Sequence, residues 1–225
     1  CWQTGQVSKS HQIEGWADFN LCKWLHSFTE VPVHVENDAN AAALAEARHG
    51  ACGGGNPLFY VALGSGVRGG LVIDDHVYHG APPGESEIGH IRLDRSGATV
   101  ESQCSGCAVD ARIRSLVAAE PGCMLGRMIG NGQGYEARYL QSALDQNDPI
   151  ANRVLSELAD DLAFALSHVV HLFHPEVIVL GGGLSMIGDS LSAAVAEKLS
   201  RYGAGMFNPG PRVVLATLGE DAVTV

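Results

Sequence analysis

Apolar residues recur along this chain with two periods, one typical of amphipathic helices and one typical of strands. The longest helical stripe lies between Asp148-Pro149 and His174-Pro175, where apolar residues recur every three or four positions. Aspartate followed by proline is typical of a helix start, and a second proline ends a helix, so one long helix is predicted here. The same spacing predicts shorter helices over residues 19–29, 39–49, 108–119, 134–144 and 190–201.

Short apolar runs bounded by glycine, proline or aspartate predict the strands. The buried run E-V-I-V-L, followed by three glycines, is the clearest of them. Further strands are predicted over residues 31–35, 58–63, 70–73, 76–79, 87–94 and 213–215. Strands that alternate with helices in this way indicate an α/β protein.

The composition narrows the class of protein. The 225 residues are 46% hydrophobic and include 28 glycines, which suits an α/β domain with tight turns. A net charge of -11 argues against non-specific nucleic-acid binding by this segment, although ATP needs only a local cradle. No apolar run reaches the roughly 18 residues of a membrane span, and no signal peptide is visible. The six cysteines are therefore interpreted as reduced thiols of a cytoplasmic protein.

Two glycine clusters follow predicted strands and are candidates for phosphate binding. Gly64-Ser65-Gly66 opens the run G-S-G-V-R-G-G, where backbone N–H groups can approach a phosphate and Ser65 adds a hydroxyl. Gly181-Gly182-Gly183 stands at the carboxyl end of a strand, where α/β proteins bind nucleotides. The alternatives are a hairpin turn for the first cluster and a close helix–strand contact for the second. The first cluster has no following lysine, so it is not a Walker-type P-loop.

Asn37 and Asp38 stand between a predicted strand and an alanine-rich helix. An aspartate can act as general base for a hydroxyl, and the Asn–Asp pair offers a sugar both a donor and acceptors. The alternative is a helix N-cap, which contributes about 1 kcal/mol. Taken by themselves, these residues favour the cap.

A second polar group contains His90, Cys104 and Cys107, with Asp110 close by in sequence. The C-x-x-C spacing and the histidine are typical of zinc ligands, and Asp110 would be the fourth ligand. The alternative, which we favour, is a pair of buried cysteines and a hydrogen-bonded histidine.

Five motifs, in order, resemble the ROK family of repressors, open reading frames and sugar kinases: E-N-D-A-N-A-A-A-L-A-E, L-G-S-G-V-R-G-G, G-E-S-E-I-G-H, H-P-E-V-I-V-L-G-G-G and L-G-E-D-A. The resemblance covers essentially the whole chain. It implies the actin-like, ribonuclease-H-like ATPase fold, an α/β fold with a mixed sheet flanked by helices. Residues 1–36 would be the remnant of a smaller N-terminal domain, and residues 37–225 most of the larger domain that binds sugar and nucleotide.

The resemblance also implies a role for each matched residue. Asp38 matches the catalytic base that takes the proton from the sugar hydroxyl. The sugar-binding positions fall on Asn37, Glu87 and His90. The phosphate-loop and adenosine-side positions fall on Gly64, Ser65, Gly66, Gly181, Gly182 and Gly183. The implied reaction is in-line phosphoryl transfer from ATP, with Mg²⁺ neutralising charge.

The sequence departs from the family pattern at three places. The first phosphate loop of the family, D-x-G-G-T, appears nowhere, and a helix normally follows L-G-E-D-A, so we expect a fragment with little kinase activity of its own. Arg68 replaces a usual glycine, where it can pair with a phosphate or strain the turn. Of the family's zinc cysteines, an alignment from His90 retains Cys107 alone. We therefore expect the zinc site to be lost and Asp110 to take over a sugar contact.

The resemblance predicts an ATP-dependent hexose kinase acting on glucose or an N-acetylhexosamine, without a membrane partner and with the homodimer that the family often forms. The alternative is the sugar-sensing domain of a ROK-type transcriptional repressor. A third interpretation, a sugar-binding protein without turnover, draws on Arg68 and the altered zinc segment.

Overall fold

A computed structural model of the chain describes residues 2–7, 16, 19–50, 53–81, 86–120, 122–130, 132, 134–203, 209–219 and 222. The strands are β1 (Gln6–Val7), β2 (Phe19–Asn20), β3 (Leu58–Leu63), β4 (Val67–Ile73), β5 (His76–Val77), β6 (Val177–Gly181) and β7 (Arg212–Leu215). The α-helices are α1 (Leu21–Thr29), α2 (Asp38–His49), α3 (Val100–Cys104), α4 (Gly106–Ala119), α5 (Met124–Ile129), α6 (Leu140–Leu144), α7 (Pro149–Phe173) and α8 (Asp189–Tyr202). Short 3₁₀ helices cover Ile88–His90, Glu136–Tyr139 and Gly183–Ile187.

A five-stranded mixed sheet, in the order β5-β4-β3-β6-β7, forms the centre of the molecule. β3 and β4 make an antiparallel hairpin in which Leu63 is paired with Val67, whereas β3, β6 and β7 run parallel. β1 and β2 form a separate two-stranded ribbon. The carboxyl ends of β3 and β6 therefore lie side by side, and both glycine clusters follow at that edge.

Strand residues alternate between two hydrophobic cores, one on each face of the sheet. Val61 and Leu63 of β3 face the larger core, which α3, α4, α7 and α8 cover. Leu58 and Tyr60 face the smaller core, which α2 covers together with Ala222. The fold thus has three layers, and α2 is placed by its contact with the sheet.

The helix α7 confirms the long helix predicted from the sequence. The Asp148 side chain accepts the N–H of Ala151 at 2.8 Å, and the helix ends at His174 with a φ of 49°. Its buried face includes Leu158 and Leu162, each fully excluded from solvent. Burial of such a side chain contributes about 1.5–3 kcal/mol, so this stripe is a main source of stability.

Two predicted strands are wrong. Within residues 87–94 the chain forms the 3₁₀ helix Ile88–His90, because the strand pairing of this stretch in the described residues is limited to an isolated bridge between Arg92 and Thr99. Residues 31–35 form no strand, because no strand in the described ranges pairs with them and Val31 is 55% exposed. A side-chain pattern gives no information on whether a pairing partner lies alongside.

Several other boundaries differ from the prediction. β4 begins at Val67 rather than at residue 70, since Gly69 and Gly70 continue the ladder with β3. The helix predicted over residues 134–144 is divided into the 3₁₀ helix Glu136–Tyr139 and α6. The short helix α3 was not predicted. Of the helices in the described ranges, none combines the length and the apolar character needed to cross a membrane.

Candidate active site

The loop formed by Gly64-Ser65-Gly66 is a tight hairpin held by three hydrogen bonds. Gly64 donates to the carbonyl of Gly66 at 2.9 Å, and Gly106 donates to the carbonyl of Gly64 at 2.7 Å. The Glu101 carboxylate accepts the N–H of Val67 at 3.0 Å. Within the described part of the chain, the N–H groups of Ser65 and Gly66 find no acceptor. The hairpin that the sequence allowed as an alternative is therefore compatible with phosphate binding, since two donors remain available.

A cavity of about 820 Å³ opens beside this loop. The loop, the end of β3, the 3₁₀ helix Gly183–Ile187 that follows β6, and α4 with residues 134–138 form its walls. The lining residues are Leu63, Gly64, Ser65, Gly106, Cys107, Asp110, Arg114, Gly134, Tyr135, Ala137, Arg138, Gly183, Leu184, Met186 and Ile187. Most of these groups are apolar and Arg138 adds positive charge, whereas Arg114 is paired with Glu136 at 2.8 Å. Such a lining suits a ligand with an apolar ring system and phosphates.

The glycines of the second cluster have two roles: Gly181 and Gly182 allow close packing, and Gly183 lines the cavity. A Cβ at Gly181 would overlap the ring of Tyr60. Gly182 has a φ of 80°, and a Cβ there would lie 2.7 Å from the carbonyl oxygen of Leu63. Gly183 lines the cavity. Close packing against the neighbouring strand β3 therefore accounts for Gly181 and Gly182, in place of the helix–strand contact that we gave as an alternative, whereas Gly183 remains placed to meet a ligand.

Asp110 lies in the wall of the cavity, where its carboxylate organises the backbone of the opposite segment. Its oxygens accept the N–H of Tyr135 at 3.0 Å and the N–H of Ala137 at 2.8 Å. Within the described residues, no contact joins Asp110 to Asn37 or Asp38. The structure thus places Asp110 with the phosphate loop and not with the other predicted sugar-binding residues.

The start of α2 separates the roles of Asn37 and Asp38. The Asn37 side chain is the N-cap, since it accepts the N–H groups of Ala39 at 2.9 Å and Asn40 at 3.3 Å. Asp38 is the first helical residue, with a side chain 61% exposed. Its second carboxylate oxygen lies 3.1 Å from a guanidinium nitrogen of Arg68. Asn37 supplies the cap, and the Asp38 carboxylate, whose other oxygen accepts the N–H of Ala39 at 2.9 Å, stays exposed, where it can meet a ligand.

Glu36 directly precedes this pair of residues and is held by several hydrogen bonds. Its carboxylate accepts the N–H of Asn37 at 2.9 Å and the amide of Asn40 at 3.0 Å, and lies 2.6 Å from Nε2 of His79. Burial raises the pKa of Glu36, but the hydrogen bonds from Asn40 and His79 outweigh it and lower the pKa below the ordinary value of 4.5. The Trp2 ring stacks on His79 with centroids 3.9 Å apart. Glu36 is therefore a charged anchor for the turn that carries Asn37 and Asp38.

β4 positions Arg68 and α2 relative to each other. Arg68 lies within the strand and does not have a positive φ, so the strain considered from the sequence is absent. A Cβ at Gly70 would lie 2.7 Å from the Cβ of Ala43, which shows how closely α2 approaches the strand there. Arg68 and Gly70 share one face of β4, because alternate residues of a strand point to the same side. Arg68 thus lies on the face that α2 covers, at the level of Asp38.

Glu87 precedes and His90 ends the 3₁₀ helix that packs against the same part of β4. Ser86 forms an isolated bridge with Gly69, and Gly89 approaches the backbone of Val67. The side chains of Glu87 and His90 are 52% and 73% exposed, with Nε2 of the histidine 3.7 Å from the carboxylate. Both predicted sugar-binding residues are therefore accessible beside the segment that carries Arg68.

The residues considered for zinc are not gathered into one group. Cys104 is buried, and burial raises the pKa of its thiol. Cys107 lines the cavity, whereas His90 is exposed beside Glu87. In the ranges that the structure covers, no three or more His, Cys, Asp or Glu side chains are arranged to hold a metal ion.

Sequence reasoning missed two carboxylates that hold the site together, the half-buried Glu101 and the buried Glu46. Glu101 supports the phosphate loop, as described above. Glu46 of α2 is 1% exposed and accepts the N–H groups of Thr217 and Leu218, each at 2.8 Å. A glutamate within an alanine-rich helix was the available signal for Glu46. Nothing local to Glu101 distinguishes it from a surface residue.

Comparison with known proteins gives a family and several relatives. The ROK family model matches residues 2–225. A glucokinase of Halalkalibacterium halodurans is 34% identical over 217 residues, which are 92% of this chain and 66% of that protein. A second relative, from a Caldicellulosiruptor strain, is named a xylose repressor. It is 29% identical over 77% of this chain and 45% of its own length.

Solved structures include a similar fold. The ROK family glucokinase from Streptomyces griseus, in complex with glucose and AMPPNP, aligns with a TM-score of 0.84 at 29% identity. The alignment covers 98% of this chain and 74% of that one.

Proposed function

Because the chain belongs to the ROK family and has its actin-like ATPase fold, with a mixed sheet flanked by helices, we propose that the full-length protein is an ATP-dependent hexose kinase. The observation that carries the proposal is the exposed carboxylate of Asp38, held against β4 directly beyond the loop 64–66 that borders the cavity. The proposed base, the phosphate loop and a nucleotide-sized cavity thereby all lie next to the hairpin of β3 and β4.

In the proposed reaction, the nucleotide occupies the cavity and its phosphates lie along Ser65 and Gly66. Asn37, Glu87 and His90 bind hydroxyl groups of the hexose. Asp38 accepts the proton of the hydroxyl that attacks the γ-phosphorus of ATP. Catalysis then rests on positioning and on charge neutralisation, as in other phosphoryl transfers.

Glucose or an N-acetylhexosamine is the proposed acceptor. The relative that is named a glucokinase, and the neighbour solved with glucose and AMPPNP, support a hexose and a nucleotide. Mg²⁺ keeps several waters and is usually held by substrate phosphates with one or two carboxylates. The described residues contain no cluster of three metal ligands, so the phosphates of ATP would hold most of the Mg²⁺, which would neutralise their charge.

The test is sugar-dependent release of ADP by the full-length protein. Glucose, N-acetylglucosamine, N-acetylmannosamine and fructose are compared, with Asp38→Asn as the key variant. Asp75→Asn is the matched control, since Asp75 lies in the exposed turn between β4 and β5. We expect turnover with one of the sugars, loss of about 10²–10⁴-fold with Asp38→Asn and none with the control. Turnover that survives Asp38→Asn would refute the role of Asp38 as base.

The second candidate is a sugar-responsive repressor, which the similarity to the xylose repressor favours. A repressor of this kind would be stabilised by sugar without consuming ATP. Thermal stabilisation by a sugar, together with no ADP release from any sugar in the assay above, would decide for it.

A further inference from the structure

We propose that Arg68 binds the phosphoryl group while it is being transferred, and that its ion pair with Asp38 is the resting position of the guanidinium. The inference rests on the proposed kinase function. It gives Arg68 a direct contact with the reacting atoms, in addition to the loop 64–66.

The placement of Arg68 is fixed by the backbone and not by its side chain alone. Arg68 is two residues beyond the loop 64–66 and pairs with Ala62 in the hairpin. Gly70, on the same face of β4, is in direct contact with α2. The start of α2 and the side chain of Arg68 are therefore held on one side of the sheet, next to the phosphate loop.

The distance from Arg68 to Asp38 brings the guanidinium within reach of the reaction. Its Nη1 donates to Oδ2 of Asp38 at 3.1 Å. A general base lies about 2.6–3.2 Å from the hydroxyl that it serves, and that oxygen lies about 3–3.5 Å from the phosphorus that it attacks. A guanidinium in contact with the base can therefore also reach the oxygens of the phosphoryl group.

The present contacts of Arg68 leave it able to change partner. Arginine has five N–H donors in a fork that matches phosphate oxygens, and Asp38 engages one of them. The side chains of Arg68 and Asp38 are 51% and 61% exposed, and ion pairs with such exposure are weak. The guanidinium also lies at the N-terminal end of α2, which favours anions over cations. An incoming phosphate dianion thus has a donor that is only loosely held.

The atoms of the reaction balance with Arg68 as a non-covalent participant. The sugar hydroxyl oxygen forms a bond to the γ-phosphorus as the bond from that phosphorus to the β,γ-bridging oxygen breaks. ADP leaves with the electron pair, and the hydroxyl proton passes to the Asp38 carboxylate. Arg68 donates hydrogen bonds to the transferring oxygens and so releases Asp38 to receive the proton.

The first test compares Arg68→Met and Arg68→Lys in the full-length protein, with Arg48→Met as the matched control. Arg48 lies near the other end of α2 and donates to the carbonyl of Asp75. We expect Arg68→Met to lower kcat by about 10²–10³-fold, with KM for the sugar nearly unchanged. Arg68→Lys should recover part of the loss, since it restores charge without the fork. Unchanged or increased kcat in Arg68→Met would overturn the inference and leave the ion pair as a restraint on the base.

The second test does not depend on turnover. Calorimetric titration with AMPPNP and with ADP measures whether Arg68 meets the third phosphate. We expect Arg68→Met to weaken AMPPNP binding at least tenfold and ADP binding little. Equal losses for both nucleotides, or binding of neither by the wild-type protein, would overturn the inference. Arg68-dependent preference for AMPPNP in a protein that turns over no sugar would refute the kinase proposal but support the phosphate contact.

Discussion

Replacement of Gly70 by alanine is expected to push α2 away from β4 and to impair both stability and activity. A new Cβ would lie 2.7 Å from the Cβ of Ala43 and 2.8 Å from the carbonyl oxygen of Ala39. Neither neighbour can rotate away, because one is a Cβ and the other is main chain. Since carbon atoms pack at about 3.5–4.0 Å, α2 must move by about 1 Å.

The shift of α2 determines how much stability and activity the Gly70→Ala variant loses. Overpacking of this kind costs about 1–3 kcal/mol of unfolding free energy. For a chain of this size such a loss lowers Tm by about 2–12 °C. Misplacement of a reacting group by about 1 Å can lower a rate about 100-fold. Because Asp38 is the first residue of α2, kcat of the full-length protein should fall by up to that factor. KM for ATP should change little, since α2 does not line the cavity.

Thermal denaturation and the coupled ADP assay measure the two effects on the same sample. Gly203→Ala is the matched control, because a Cβ there would meet atoms at 3.6 Å or more and its φ is -72°. We expect the control to stay within about 0.5 kcal/mol of the wild type. If Gly70→Ala leaves both Tm and kcat unchanged, then α2 is not seated on β4 as described and the placement of Asp38 by Gly70 is wrong.

Three further outcomes are expected. Glu46→Ala should lower the free energy of unfolding by about 2–4 kcal/mol in urea titrations, since residues 217–218 lose a buried acceptor for two N–H groups. Glu197→Ala, at an exposed glutamate, is the control. If Glu46→Ala lowers the free energy of unfolding by less than this control does, the structural role of Glu46 is contradicted. The lowered pKa of Glu36 means that its contribution to stability is present at neutral pH and lost as pH falls below 4.5, so Glu36→Gln should flatten the pH dependence of Tm in that range. Alkylation of Cys107 should slow when ATP is present, as followed by peptide mass spectrometry, because this exposed thiol lines the cavity. Unaltered labelling would place the nucleotide elsewhere.

The sequence was most informative where side chains repeat with a period or where one residue type has one conformational use. The Asp148-Pro149 start of α7 and the buried strand β6 fall where their patterns place them. Asn37 and Asp38 were correctly placed at a helix start, but the pattern did not decide which of the two is the cap. That choice depends on the backbone angles of a single residue, to which hydrophobic spacing is insensitive.

The errors occur where distant segments meet. The strand predicted over residues 87–94 is replaced by a 3₁₀ helix whose Gly89 packs against Val67, a contact between segments more than twenty residues apart. Asp110 belongs to the cavity wall because residues 134–137 fold back onto it. The resemblance to the ROK family supplied the site residues that spacing alone left open. It did not supply the contact of Arg68, because that residue departs from the family pattern.

The hydrogen bonds that the buried Glu46 accepts from Thr217 and Leu218 affect the order in which the protein folds. Its carboxylate is bonded to a segment 171 residues later in the chain. A ribosome completes α2 long before residues 217–218 leave the exit tunnel, and contacts of such separation form late and slowly. The helix that presents Asp38 therefore reaches its final position only after residues 217–218 have been synthesised. A nascent chain thus carries the candidate base well before it can form the contact that fixes the helix of that base.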